Sequence, residues 1–375
     1  MQEWRQRPHY TGAEPATGVP AGSTTRARSM QMTTIAFETT DLPIIGAPMA
    51  GGTTTPELTA AVARAGGFPF VAGGYLTADA LAPLIERMRE TTENFGVNLF
   101  VPAPVPIDRG AFDAFVSALE PVAADHGVAI DPEPVEDDDH YDEKVDHLVD
   151  DPVPLVSMTF NIPAAEVVDR LHSVGTQVVA TVTTTAEART AADRGVDALI
   201  VQGPRAGGHS GTADPTRDID DRATSDLVRD VLAEVSLPVA AGGGVDSADA
   251  VDELLQAGAS AVVVGTLLLR SDEAGTSEAH RAALQSEKFD ETRLTRAFTG
   301  RPARALVNDF VRKFDPIAVD AYPAVHHLTK SFRAQAKKDD DPQGLHLWAG
   351  TGFRGARTGS AETIVKELGA PFARG

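Results

Sequence analysis

Three groups of residues in this chain could do chemistry together. The run Val201-Gln202-Gly203-Pro204-Arg205-Ala206-Gly207-Gly208-His209-Ser210-Gly211 sets a histidine among glycines. Such a loop lets the backbone come close to a bound ring and carries an imidazole over it, and a histidine near neutral pKa is the natural general base there. Capping or orienting the loop is the other role open to His209. The second group is a pair of glycine turns, Gly242-Gly243-Gly244-Val245 and Val263-Val264-Gly265-Thr266, the first leading through Asp246 and Ser247 into a helix. Glycine N–H groups beside a helix N-terminus suit a phosphate. The third is Met49 and Asn98, a polarizable thioether and an amide at the ends of apolar runs. They suit the face and the edge of a flat heteroaromatic ring.

These residues need elements to bring them to one place. Eight short apolar runs rich in Val and Ile read as strands buried on both faces: Ile44–Met49, Phe68–Gly74, Phe95–Val101, Pro154–Phe160, Gln177–Val182, Ala198–Gln202, Leu237–Gly243 and Ala261–Leu267. Amphipathic stretches alternate with them, several opening after Thr or Asp and closing at Gly66, Gly175, Gly195 and Gly258. Eight strand–helix units predict an α/β fold, a (β/α)₈ TIM barrel, in preference to an open doubly wound sheet. In such a barrel all three groups fall at the C-terminal ends of strands, where active sites lie, and the two glycine turns follow strands seven and eight, the usual phosphate position.

The domain expectation has three parts: residues 1–33 as a disordered tail, 34–270 as the barrel, and 271–375 as a small helical region on the barrel rim. An insertion of about 104–153, between strands three and four, ends in the acidic run Asp137–Asp151 and reads as a lid or local elaboration with a solvated face.

Composition narrows the chemistry further. The chain of 375 residues contains no cysteine, which removes disulfides, thiolate metal sites and cysteine nucleophiles; no metal site is expected. Its net charge of −21 makes nucleic acid a poor partner. With 33 Asp to 21 Glu and 7 Lys to 26 Arg, the acid is of a kind that suits a halophilic cytosol, although a GC-rich genome also favours Arg over Lys. No apolar run is long enough to span a membrane, and no signal-peptide core precedes the barrel, so a cytoplasmic protein is expected. No feature specifies an oligomeric state.

The motifs GAPMAGG, FGVNLF, VQGPRAGGHSG, AAGGGV and VVVGT, in this order, resemble those of the nitronate monooxygenases, formerly 2-nitropropane dioxygenases. The tail segments TRAFTGRPAR, YPAVHHLT and LWAGTG resemble the bacterial-type class, and the likeness spans about residues 40–355. It implies an FMN-dependent oxidoreductase that takes alkyl nitronates, such as propionate 3-nitronate, and dioxygen to a carbonyl compound and nitrite. By the same likeness Asn98, Gln202 and Gly207 contact the flavin, Gly244 and Val263 to Thr266 hold its phosphate, and His209 is catalytic. Met49 and Gly243 join the cofactor set from the residue reading. Two positions depart from the family: Arg205, where Glu is usual, and Gly46, where Gln is common. Arg205 could pair with a substrate carboxylate or stabilise the loop.

Rival readings stay open. An NAD(P)H-dependent quinone or enoyl reductase shares the barrel and the glycine–histidine loop. A phosphosugar isomerase or aldolase wants a strand-tip lysine, and the seven lysines all lie outside the eight strands. A non-catalytic flavin-binding protein is the last. His326, His327 and Tyr322 stand outside the catalytic set, since adjacent residues on a helix cannot both face one pocket, and Tyr141 is a weaker candidate still.

Overall fold

The computed structural model describes residues 34–374. The expected tail at 1–33 lies outside the described residues. Eleven strands are present among those described: β1 Ile44–Gly46, β2 Phe70–Ala72, β3 Gly96–Phe100, β4 Leu155–Thr159, β5 Gln177–Val182, β6 Ala198–Gln202, β7 Gly208–His209, β8 Val239–Gly242, β9 Ala261–Val264, β10 Thr292–Thr295 and β11 Ala303–Leu306. Eight of them form one parallel sheet in the order β1-β9-β8-β6-β5-β4-β3-β2. A parallel bridge from Ile45 to Phe68, just before β2, closes the ring. This is a TIM barrel.

Period-two alternation along these strands builds two cores. Ile45, Phe68, Phe70, Leu155, Val179 and Ile200 fill the barrel interior, with Phe37 of the Ala36–Thr39 turn packed into the same cluster. Alternate residues, such as Ile44, Val97, Val156 and Leu199, face the surrounding helices. Helices start where a hydroxyl accepts a backbone N–H, as Thr55, Thr77, Thr184 and Ser247 do.

Three features of the structure bear on the domain expectation. The acidic run is part of the barrel wall: helix Tyr141–Asp150 packs between Ala78–Arg89 and Ala165–Ser173, burying Tyr141, Lys144, Val145 and Leu148 and turning its carboxylates outward. It takes the third helix position, so this part of the insertion is no lid. The tail is not wholly helical, since β10 and β11 pair antiparallel and β11 pairs in turn with β7. These strands read TRLT and ARAL and carry no Val or Ile, so they lack the pattern that marks the barrel strands. Finally, the eighth wall position falls to the last helix, Ala361–Gly369, which packs against both Pro56–Arg64 and Ala248–Gln256.

A separate apolar cluster holds the intervening tail. Phe112, Phe115 and Leu119 of helix Arg109–Asp125 pack with Phe298, Phe310, Phe314 and Phe332. Phe298 stacks on Phe310 with centroids 4.4 Å apart. Phe298→Ala is therefore expected to cost about 3–5 kcal/mol, the usual price of emptying a buried aromatic site. Urea denaturation of the variant beside the wild type measures it.

Candidate active site

The catalytic candidate sits on a strand of its own making. His209 ends β7, opposite Ala303, with Gly208 opposite Arg304, so the tail fixes the loop that carries the imidazole. Gln202 braces the same loop from the barrel side: its Nε2 donates to the His209 carbonyl (3.0 Å) and its Oε1 accepts from Gly211 N–H (2.6 Å). Glu187 continues the brace, accepting from Ala213 N–H at 2.8 Å and from Thr183 N–H at 2.5 Å.

Around the half-buried imidazole stand Phe160, Trp348 and Tyr322, with ring centroids at 5.5, 5.4 and 5.9 Å. His209 Nε2 is 2.9 Å from Thr299 Oγ1, and that hydroxyl is 3.3 Å from the Arg301 carbonyl, which can only accept. The hydroxyl proton goes to the carbonyl, so the hydroxyl oxygen takes the Nε2 proton and Nδ1 carries the lone pair. Burial, then the positive charges of Arg301 and Arg333, push the His209 pKa down to about 3. The imidazole is neutral throughout the physiological range.

The glycine turns lie on the same rim. Register pairs Gly46 with Val264 and Gln202 with Gly242, which places the tips of β1, β9, β8 and β6 side by side. Gly243 and Gly244 have φ of +126° and +83°, conformations that a side chain resists. Immediately after them helix Ala248–Gln256 begins, with Ser247 as its cap. Gly243, Gly244, Gly265 and Thr266 are all half-buried, open enough to meet a ligand. Thr266 Oγ1 accepts from Gly350 N–H (2.9 Å), which leaves its own proton to donate. Met49 reaches this corner: its sulfur is 3.7 Å from where a Cβ on Gly265 would stand. These features fit a phosphate-bearing group with a flat ring.

Other expected residues have more structural surroundings. Asn98 is 3% exposed and its Nδ2 donates to Ser157 Oγ (2.9 Å) and Thr159 Oγ1 (3.0 Å). Among the described residues no donor reaches its Oδ1, so the carbonyl end is what a ring edge could use. Gly207 fits because a Cβ there would stand 2.4 Å from Gly350 N, where the LWAGTG segment crosses the loop. Val263 lines the barrel interior, whereas the Val264 side chain is buried in the outer core and its carbonyl accepts from Ala47 N–H. Arg205 pairs with Asp221 at 3.0 Å on the surface. At Gly46 a Cβ would already stand 3.0 Å from the Val62 side chain, so no larger residue fits without a shift.

Sequence reasoning passed over most of the side chains gathered at the imidazole: Phe160, Thr299 and Trp348, with Arg301 stacked on Phe160. Its separation of the two adjacent histidines matches the structure. His326 is buried and stacks on Tyr75 (centroids 4.5 Å), while His327 turns outward to Asp137 (2.6 Å). Tyr141 points its hydroxyl at Met158 in the outer core, away from the site. Beside the imidazole loop, a cleft of about 170 Å³ opens, lined by Gln202, Ser210, Thr183 and Arg217 among others.

Fold and site together define a (β/α)₈ enzyme with a histidine and glycine-rich strand tips on one rim. The family model for nitronate monooxygenase matches residues 32–370, and the chain belongs to that family of oxidoreductases. A "probable nitronate monooxygenase" of Staphylococcus aureus (strain Newman) is 32% identical over 332 residues, 88% of this chain and 93% of that protein. The same description and identity hold for a protein of Staphylococcus saprophyticus. Among solved structures, nitroalkane oxidase from Streptomyces ansochromogenes is 45% identical with a TM-score of 0.83, covering 88% of this chain and 95% of its own. FabK from Thermotoga maritima, at 24% identity and a TM-score of 0.69, shares the fold.

Burial also lowers the pKa values of His280, His326 and His346. Each of these four imidazoles binds a proton more readily when unfolded. Their contribution to stability is complete above the unfolded pKa of about 6.5 and is lost as pH falls toward their folded values. Denaturant midpoints should therefore fall steadily from pH 6.5 to 4, and His209→Gln should remove about one proton from the uptake on unfolding at pH 5.

Proposed function

We propose that this chain is an FMN-dependent oxidase of alkyl nitronates, such as propionate 3-nitronate, which it converts with dioxygen to a carbonyl compound and nitrite. The observation that carries the reading is His209: a neutral, desolvated base held by a tail strand at the same rim as the half-buried glycine turns. Membership of the nitronate monooxygenase family supports it.

Gly243, Gly244, Gly265 and Thr266 would hold the cofactor phosphate by backbone N–H groups and one hydroxyl, aided by the N-terminus of helix Ala248–Gln256. Met49 would pack on the ring and the Asn98 carbonyl would meet its edge. When bound, FMN would supply the electron-accepting ring through which the substrate's electrons reach dioxygen. Phe160, Tyr322 and Trp348 exclude water around the imidazole, which keeps His209 neutral and any charge in the pocket weakly screened.

A nitronate arrives as an anion with electron density already on carbon, so it needs no proton removed. A neutral nitroalkane must first lose an α proton, and Nδ1 of His209, the nitrogen left with a lone pair, would take it. The low proton affinity of the free imidazole means that this transfer depends on the positive surroundings stabilising the anion left behind.

Two measurements test the reading. Anaerobic addition of propionate 3-nitronate to the FMN-loaded protein in high salt, which suits its acidic surface, should bleach the flavin bands. Bands that respond only to NADH or NADPH would move the activity to the nicotinamide-dependent reductases. His209→Asn should lower nitroalkane turnover by roughly 10²–10⁴-fold, the share of a general base, while nitronate turnover falls much less. Equal losses on both substrates would reduce His209 to a binding role.

A further inference from the structure

We propose that Arg301 is an anion anchor beside His209, taking an oxygen of the substrate's nitronate group on its Nη1. This deepens the nitronate reading and rests on it. The substrate class it assigns is a compact planar oxyanion, a group with two coplanar oxygens sharing one negative charge.

Arg301 is fully buried, and its partners are three backbone carbonyls. Nε donates to Ser210 O at 3.3 Å, and Nη2 donates to Phe160 O at 3.1 Å and to Thr212 O. Those bonds tie the end of β4, the histidine loop and the tail together. They leave Nη1 without any partner, although it too is buried. An ionised group out of water with one nitrogen unsatisfied is costly unless something completes it.

Its surroundings favour an anion as that partner. The guanidinium carbon lies 4.2 Å over the Phe160 ring and 6.0 Å from the Tyr322 centroid, and both rings flank the His209 imidazole. A second buried cation, Arg333, donates to Thr329 Oγ1 (3.0 Å) and to the His326 carbonyl (2.9 Å). Among the described residues neither guanidinium is paired with a carboxylate. Glu187, whose charge does reach Arg301, is already occupied by Thr183, Thr212 and Ala213. Two buried positive charges with only carbonyls and hydroxyls around them create a field that a small anion would complete, and Nη1 keeps its N–H groups for the oxygens of that anion. A purely structural arginine would be accounted for by Nε and Nη2 alone.

Nitrate is the probe, because it has the planar oxyanion shape and is no electron donor to a flavin. In the wild type, exchanging potassium chloride for potassium nitrate at constant ionic strength should inhibit propionate 3-nitronate oxidation competitively. In Arg301→Lys and Arg301→Gln, the nitrate inhibition constant and the nitronate KM should both rise by on the order of ten- to a hundredfold, the range for a hydrogen bond to a charged group. Flavin content should stay at the wild-type level, and the KM for neutral nitroethane should move less than that for the nitronate.

Wild-type activity indifferent to nitrate overturns the proposal whether or not the variants fold. Variants that keep flavin and bind nitrate as the wild type does also overturn it, as does loss of flavin in step with loss of nitrate binding, which would make Arg301 a cofactor residue. Nitrate binding is also read directly from the flavin absorbance. A protein that perturbs its flavin with nitrate yet oxidises no nitronate would therefore sink the functional reading and leave the anion site standing.

Discussion

The pairing of Gly208–His209 with Ala303–Arg304 holds the histidine loop in one place, and most of the site depends on it. A loop of glycines after a barrel strand would otherwise sample many conformations. Here one edge is stitched to β11 and the other is gripped by Gln202 and Glu187. The same tail segment that supplies β11 also supplies Thr299, which orients the imidazole, and Arg301, which lies against the pocket rings. Tail and barrel therefore share one candidate site, and the phenylalanine cluster packs the tail against helix Arg109–Asp125.

Electrostatics inside the pocket run opposite to those of the whole chain. The protein carries a net charge of −21, yet the charges that act on His209 are the guanidiniums of Arg301 and Arg333. Aromatic walls lower the local dielectric, so these charges act on the imidazole and on any bound anion far more strongly than surface charges do. A neutral histidine and a field that favours an anion are two results of one arrangement. Asp139 adds an outer layer. It accepts from Tyr75 N–H (2.7 Å) and from Lys144 (2.6 Å), and burial raises its pKa to about 6. It fastens the wall helix to the residue that stacks on His326.

Much of this was legible in the sequence, and the boundary is physical. Continuous Val/Ile runs announce strands buried on both faces, so the barrel could be read directly, and the glycine turns mark its C-terminal rim. The tail strands TRLT and ARAL have no such signature because partners, not side-chain burial, make them strands. Helix Tyr141–Asp150 looks like a charged insertion because only one of its faces is apolar. Helix Ala361–Gly369 returns to the barrel after a detour of about ninety residues, which local pattern cannot foresee. Gln202 was read as a cofactor contact from family likeness; both ends of its amide serve the loop that holds His209.

Thr299 and the Arg301 carbonyl together make His209 a neutral, oriented imidazole, with its proton on Nε2 and its lone pair on Nδ1. Nitrogen-15 NMR of histidine-labelled, FMN-loaded protein, with the His209 signals assigned by their loss in His209→Asn, tests this most directly. The expected result is a single tautomer protonated on Nε2 that takes up no second proton between pH 8 and 5. A titration centred near 6.5, or a mixture of tautomers across that range, would contradict it.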